Sequence, residues 1–328
     1  MKNIERNYKL DLLRVIAIMM IILMHSPMPK SAPSFVLVGI SYFTAPGIGL
    51  FFMISGALLL GNNMNTSAFL KKRFTKIVFP TIFWTFFYMT INHISHPYNL
   101  SDGIKKILSI PFTAQGHGVL WFMYTLAGLY LVTPILSKWL RTATRKEVEF
   151  YLFLWGISLL YPYLSQLFFI DKSPTGILYY FTGYVGYFLL GYYMNTYSEI
   201  RIIQVVIAAV FALMIPVILY GSGIEFDFYS VLWYLSLPVA SMAFVWFYLI
   251  NRSSNNTMKW ISEFSRLSFG IYLVHIFVMR DVLWKIGLII SLPGLLQIPI
   301  IAIVTFGISF LVVKVLTYLP YSKYIVGV

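Results

Sequence analysis

The chain has 328 residues, 59% hydrophobic, 18% aromatic and 11% charged, with mean hydropathy +0.79 and formal net charge +13. That balance excludes an ordinary soluble domain, and basic residues set between apolar runs rather than on an extended arm exclude a nucleic-acid partner. Cysteine is absent, so there is no disulfide, thiolate metal site or cysteine nucleophile; His93 and His96 lack companions at zinc spacing, so no metal is expected.

The first predicted element is Leu10–Ser26, LDLLRVIAIMMIILMHS. It is apolar enough to enter a bilayer, yet it carries Asp11, Arg14 and His25. An ionisable group at membrane depth costs about 3 kcal/mol even on the lenient insertion scale. As a helix, Asp11, Arg14, Ile18, Ile21 or Ile22, and His25 follow at three- and four-residue steps. His25 returns to within roughly 20° of Arg14, about 16 Å further along the axis. One face then has charge at its entry and an imidazole deep inside. Interfacial anchoring explains Asp11 and Arg14 as well as a functional role does; for His25 the shared face favours a cavity or proton path. Lys2, Arg6 and Lys9 before an apolar run mimic a signal peptide, but the ionisable groups inside the run predict that the segment is retained.

About ten spans follow, near 10–28, 35–60, 74–94, 118–139, 148–169, 175–195, 201–220, 230–250, 265–284 and 295–318. They predict one all-α polytopic membrane domain over 1–328. With the N-terminus inside, inner segments hold Lys2, Arg6, Lys9, Lys71, Lys72, Arg73, Lys76, Lys138, Arg141, Arg145, Lys146, Arg201, Arg252, Lys259, Arg266, Lys314 and Lys323. Outer segments hold Lys30, Lys105, Lys106, Lys172, Arg280 and Lys285. The bias predicts N-in, C-in. In the longest outer loop, near 95–117, the amphipathic piece Ile104–Ile110 is expected at the membrane interface. Aromatics at span ends, such as Tyr161, Tyr163, Tyr179 and Tyr180, read as an aromatic belt.

Span two ends in Pro46–Gly56, PGIGLFFMISG, where Gly47, Gly49 and Gly56 suit close helix packing and Ser55 is a candidate polar group. Lys71, Lys72, Arg73 and Lys76 open span three ahead of Pro80. Arg73 and Lys76 face the same way. A basic inner loop sets topology, and for Lys71 and Lys72 that suffices. A guanidinium at a cytoplasmic helix start also suits a phosphorylated ligand. Span four begins with His117, Val119, Leu120, Trp121, Phe122 and Tyr124, and runs to Tyr130 and Pro134. Span nine reads Ser265–His275, SRLSFGIYLVH, with Ser268, Tyr272 and His275 on one face. A structural hydrogen bond between helices explains a mid-span His275 at least as well as catalysis.

The pattern resembles acyltransferase family 3 membrane proteins. The matching pieces are Asp11-x-Leu13-Arg14 with Ala17 and then His25, Phe51–Gly56, Arg73 and Lys76 before Pro80, Leu120–Pro134, and Ser268–His275. The resemblance runs from residue 8 to about 318 and is closest to the stand-alone bacterial branch that includes the enterobacterial common antigen O-acetyltransferase. It implies acyl transfer from cytoplasmic acetyl-CoA, or another acyl-CoA, to a hydroxyl of a surface glycan or its lipid-linked precursor in a bacterial cytoplasmic membrane. By analogy His25 matches the essential histidine, Arg14 the conserved arginine and Arg73 the first of a paired arginine motif. The pair's second place holds Lys76, and the histidine many relatives carry before Leu-Trp-Phe is Val119 here, so His117 takes no role.

The expected chemistry has His25 as general base, Asp11 paired with Arg14 at the cytoplasmic mouth, and Arg14, Arg73 and Lys76 drawing in the CoA phosphates. Ser55, Trp121, Tyr124, Ser268, Tyr272 and His275 are further candidates. Partners are acyl-CoA, the glycan acceptor and membrane lipid. A transporter or flippase for glycan intermediates, or an inactive sensor, shares the architecture, because fold does not fix function.

Overall fold

The computed structural model describes residues 7–28, 32–112, 118–168, 176–197, 199–253 and 258–328. Among these every regular element is helical: α1 (Tyr8–His25), α2 (Ser34–Thr44), α3 (Pro46–Leu59), α4 (Thr66–Ser95), α5 (Leu100–Ser109), α6 (Trp121–Leu140), α7 (Arg145–Ser158), α8 (Tyr161–Phe168), α9 (Val185–Thr196), α10 (Ile202–Gly221), α11 (Phe228–Val231), α12 (Leu237–Arg252), α13 (Lys259–Ile276), α14 (Gly287–Ile290) and α15 (Gly294–Leu316). Two compact units emerge, one from residues 1–62 and 135–265, the other from 63–134 and 266–328. Helices α6 and α13 contribute residues to both.

The helix starts are written locally. The Asn7 side chain accepts from the amides of Lys9 and Leu10 at 3.1 and 3.3 Å, capping α1. Asn65 does the same for α4 through Ala68 at 3.0 Å. Thr144 and Glu147 cap α7 reciprocally, and the Thr144 amide and hydroxyl hold the Glu147 carboxyl below the usual carboxylate range. Pro46 stands at the first position of α3, where its missing N–H costs no helical bond. Through Ala45, in the right-handed helical region, α2 and α3 run on as one apolar stretch.

In the first unit the closest helix contact is between α3 and α9. A Cβ on Gly56 would sit 1.8 Å from the Phe188 carbonyl oxygen, and one on Gly191 would sit 1.9 Å from that of Met53. Each glycine admits the other helix's backbone, as small residues do in membrane interfaces. The packing expected of the span-two glycines is therefore what Gly56 provides. Tyr187, fully buried, donates to the Tyr234 carbonyl at 2.6 Å, and Tyr42 to that of Ala212 at 2.6 Å.

In the second unit the C-terminal tail lies on α4. Trp84 Nε1 donates to the Ile325 carbonyl at 2.9 Å, and the rings of Phe79 and Tyr324 meet edge to face at 5.2 Å. Helix α13 passes into a π-helical turn over Phe277–Val282. There the Leu273 carbonyl accepts the Tyr88 hydroxyl at 2.8 Å, a side chain inserted where the regular ladder widens. None of the residues of α5 is buried. Its apolar side chains Leu100, Ile104, Ile107 and Leu108 share one face, with Asp102 and Lys105 paired at 3.8 Å away from it.

Among the described residues, five helical stretches are long and apolar enough to cross a membrane: Ser34–Leu59, Thr66–Ser95, Ile202–Gly221, Lys259–Lys285 and Gly294–Leu316. The α10 stretch is apolar all round, with Ile203, Val206, Ile207, Val210 and Leu213 exposed, a surface matched to hydrocarbon rather than water. Other expected spans take different forms. The first coincides with α1, which carries Lys9, Asp11 and Arg14 near its start. Span five is broken into α7 and α8 before Pro162, which fits the first turn of a new helix. Span six contains the 12-residue α9, and span eight the 16-residue α12 preceded by short α11.

Candidate functional site

The charged face expected on α1 is built in the first unit. Leu10, Leu13, Ala17, Ile18 and Ile21 are buried around it. Asp11 is only 6% exposed, so its carboxylate requires hydrogen-bond donors. Arg14, Ser265 and Ser262 are among the groups that meet it. Arg14 Nη1 lies 3.9 Å from Oδ1, the Ser265 hydroxyl donates to Oδ1 at 2.6 Å, and the Ser262 hydroxyl donates to Oδ2 at 3.3 Å. Ser265 Oγ also accepts from Arg14 Nη1 at 3.1 Å. One hydroxyl thus bridges the guanidinium and the carboxylate, and fixes the α1 entry to the start of α13. Lys9 Nζ, donating to the Asn251 carbonyl at 2.7 Å, ties the same end to α12.

His25 is the last residue of α1 and is half-buried. Its Nδ1 lies 2.8 Å from the Ile21 carbonyl oxygen, one turn back. A carbonyl only accepts, so this bond requires the proton on Nδ1 and puts the imidazole lone pair on Nε2. The Ile21 carbonyl, one helical turn back, selects this tautomer. The arrangement suits proton abstraction at Nε2 by a neutral ring.

The basic cluster belongs to the second unit. Arg73, half-buried on α4, places its guanidinium carbon 5.8 Å from the ring centroids of both Phe69 and Tyr130. Cation–π contact with two rings leaves the plane of the fork defined. Its Nε is buried without a hydrogen-bond partner among protein atoms. Lys71, Lys72 and Lys76 are exposed on the same helix. Asp11, Arg14 and His25 therefore belong to one unit, and Arg73 and Lys76 to the other.

The remaining candidates divide between the same units. Ser55 is half-buried on α3. In the second unit, the Tyr124 hydroxyl donates to the Ile110 carbonyl at 2.7 Å and that of Tyr272 donates to the Val119 carbonyl. Both tie the chain ahead of α6 to its surroundings, which is a structural use. Trp121 opens α6 beside Phe122, and the Phe122 ring lies 5.2 Å from that of Tyr272. Ser268 is 2% exposed, and His275, fully buried, has Nδ1 2.6 Å from the Tyr272 carbonyl oxygen. That bond lies within α13. His117 lies outside the described residues.

Ser262 and Ser265 were not singled out by sequence reasoning. The available signal was their three-residue spacing at the head of span nine, which puts both hydroxyls on one helix face. Nothing local indicated that this face would meet Asp11, some 250 residues away.

No cluster of His, Cys, Asp and Glu among the described residues could hold a metal ion. Comparison with known proteins gives one match: the family model described as an acyltransferase domain (Acyl_transf_3) covers residues 7–314. No curated protein and no solved structure matches the chain.

Proposed function

The chain belongs to the acyltransferase domain family, its long apolar helices make it a multi-pass membrane protein, and from that premise we propose a specific reaction. An acetyl or other short acyl group passes from cytoplasmic acyl-CoA to a hydroxyl of a surface glycan or its lipid-linked precursor. The setting is a bacterial cytoplasmic membrane, with about ten spans and both termini inside. Within the family the reading places the chain nearest the stand-alone branch of glycan O-acetyltransferases.

The observation that carries the proposal is the His25 imidazole, held by the Ile21 carbonyl with its lone pair on Nε2. Nε2 takes the proton of the acceptor hydroxyl as that oxygen attacks the thioester carbonyl. The carbon–sulfur bond breaks, CoA leaves as thiolate, and the imidazolium returns the proton to sulfur. The products are an O-acyl ester and CoA thiol, so atoms and charge balance. General-base help of this kind contributes about 10²–10⁴-fold. Arg73 and Lys76 hold the donor's phosphates, the guanidinium giving the directional contact. Arg14, engaged by Asp11 and Ser265, holds the entry of α1 in place.

The test uses the purified chain with acetyl-CoA and a thiol reagent. The protein has no cysteine, so every thiol detected is released CoA. Release that tracks acetyl ester formed on acceptor, or slow release without acceptor, is expected. No release under either condition, from folded protein, would leave the transporter reading.

A further inference from the structure

We propose that the first unit carries a saccharide-binding pocket for an uncharged sugar unit of the acceptor, walled by α7, α8, the segment 182–184 ahead of α9 and the segment 229–235. The idea rests on the acyltransferase reading and its topology, which put these segments at the outer side.

The cavity measures about 430 Å³, within the usual range for small-molecule clefts. Tyr184, Tyr229, Trp233 and Tyr234 give it an aromatic wall. Trp233 is the hub: its ring centroid lies 5.1 Å from that of Tyr229 and 4.5 Å from that of Tyr234. An aromatic face carries partial negative charge, and the C–H groups on one side of a pyranose ring carry partial positive charge, so the two surfaces match.

The polar atoms of the lining complement hydroxyl groups. Ser230 donates its proton to Asp227 Oδ2 at 2.5 Å, Thr182 to the Tyr179 carbonyl at 2.8 Å, and Ser158 to the Trp155 carbonyl at 2.7 Å. Each oxygen then presents lone pairs, which accept from sugar hydroxyls. Gly183, at φ +91°, turns the chain so that Thr182 and Tyr184 both reach the cavity. No charged side chain lines the pocket among the described residues, and no cationic lining residue compensates a carboxylate or phosphate. A second cavity of about 430 Å³ in this unit is instead lined mainly by Phe35, Val38, Leu213, Pro216 and Val217, a surface suited to acyl chains. The contrast favours sugar over lipid in the first pocket.

Through Tyr234 the pocket lining touches the last turn of α1, one residue before the proposed base. The Tyr234 hydroxyl donates to Met24 Sδ at 3.5 Å, and Met24 directly precedes His25. A sugar against Tyr234 therefore lies at the end of α1 that carries the imidazole.

The experiment measures binding of methyl N-acetylglucosaminide, methyl glucoside, methyl galactoside and methyl glucuronide to the full chain by saturation-transfer NMR. At least one neutral glycoside should bind, and the glucuronide should bind more weakly than it. Tyr229 is 66% exposed, so Tyr229→Ala is expected to fold; it should weaken binding about 5–10-fold, while Tyr229→Phe retains it. Trp233→Leu supplies a second variant with the same expected loss. No binding of any neutral glycoside, binding indifferent to both variants, or equal binding of the glucuronide would overturn the pocket. CoA release by the unsubstituted protein reports the parent reading separately. Release without glycoside binding overturns the pocket alone, and glycoside binding that obeys the variants without release keeps the pocket while sinking the acyltransferase reading.

Discussion

A guanidinium beside two aromatic rings can hold a phosphate or simply fasten a helix, and Arg73 allows the two uses to be separated. Its contacts with Phe69 and Tyr130 account for its placement, but not for the directional N–H groups such a fork carries. If a CoA phosphate completes the site, Arg73→Gln removes a charge-assisted contact of about 1.5–3 kcal/mol and weakens acetyl-CoA binding about 10–150-fold. Raising the salt concentration should then reduce donor affinity more in the wild type than in the variant. Calorimetry at two ionic strengths reads this directly. Equal affinities with a lowered melting temperature would return Arg73 to a packing role. The charged residues of α1 were legible because an apolar run advertises every polar exception. Ser265 was not: a serine near a span end is unremarkable until the fold sets it between Asp11 and Arg14.

At the scale of elements, the close contact of α3 and α9 leaves no room for a side chain at Gly56 or Gly191. Gly191→Ala drives a methyl against the Met53 carbonyl, which cannot yield as a side-chain tip would. The expected cost is about 1–3 kcal/mol, read as a lower melting temperature of the detergent-solubilised protein. Gly128, also within a helix, has nothing within 4 Å of an added Cβ. Gly128→Ala should be neutral or slightly stabilising through helix propensity. Loss of stability in both variants alike would argue against backbone approach as the cause. The small-residue pattern in Pro46–Gly56 announced this packing, while its partner Gly191 did not stand out in an aromatic-rich stretch. Elements were hardest to read where composition stays apolar across a break. Span five looked continuous from 148 to 169, yet the chain stops α7 at Ser158 and restarts at Tyr161 ahead of Pro162.

For the whole molecule, an all-helical membrane protein was legible from composition, since hydropathy and charge placement follow directly from bilayer solvation. Contacts such as Asp11 with Ser262, between distant segments, carry no comparable local signature. The proposed topology puts Asn63 in the cytoplasm and Ser101 outside, and both residues are exposed. Single cysteines at these positions, in an otherwise cysteine-free chain, can be challenged with an impermeant maleimide in whole cells. Labelling at position 101 but not 63 is expected, and the reverse pattern would invert the topology.

The account turns on His25, and the most direct test is CoA release by the wild type and by His25→Ala at matched amounts of folded protein. With Nε2 as the base, acetyl-CoA-dependent transfer should fall about 10²–10⁴-fold while the melting temperature stays close to that of the wild type. Wild-type turnover in His25→Ala would contradict the account.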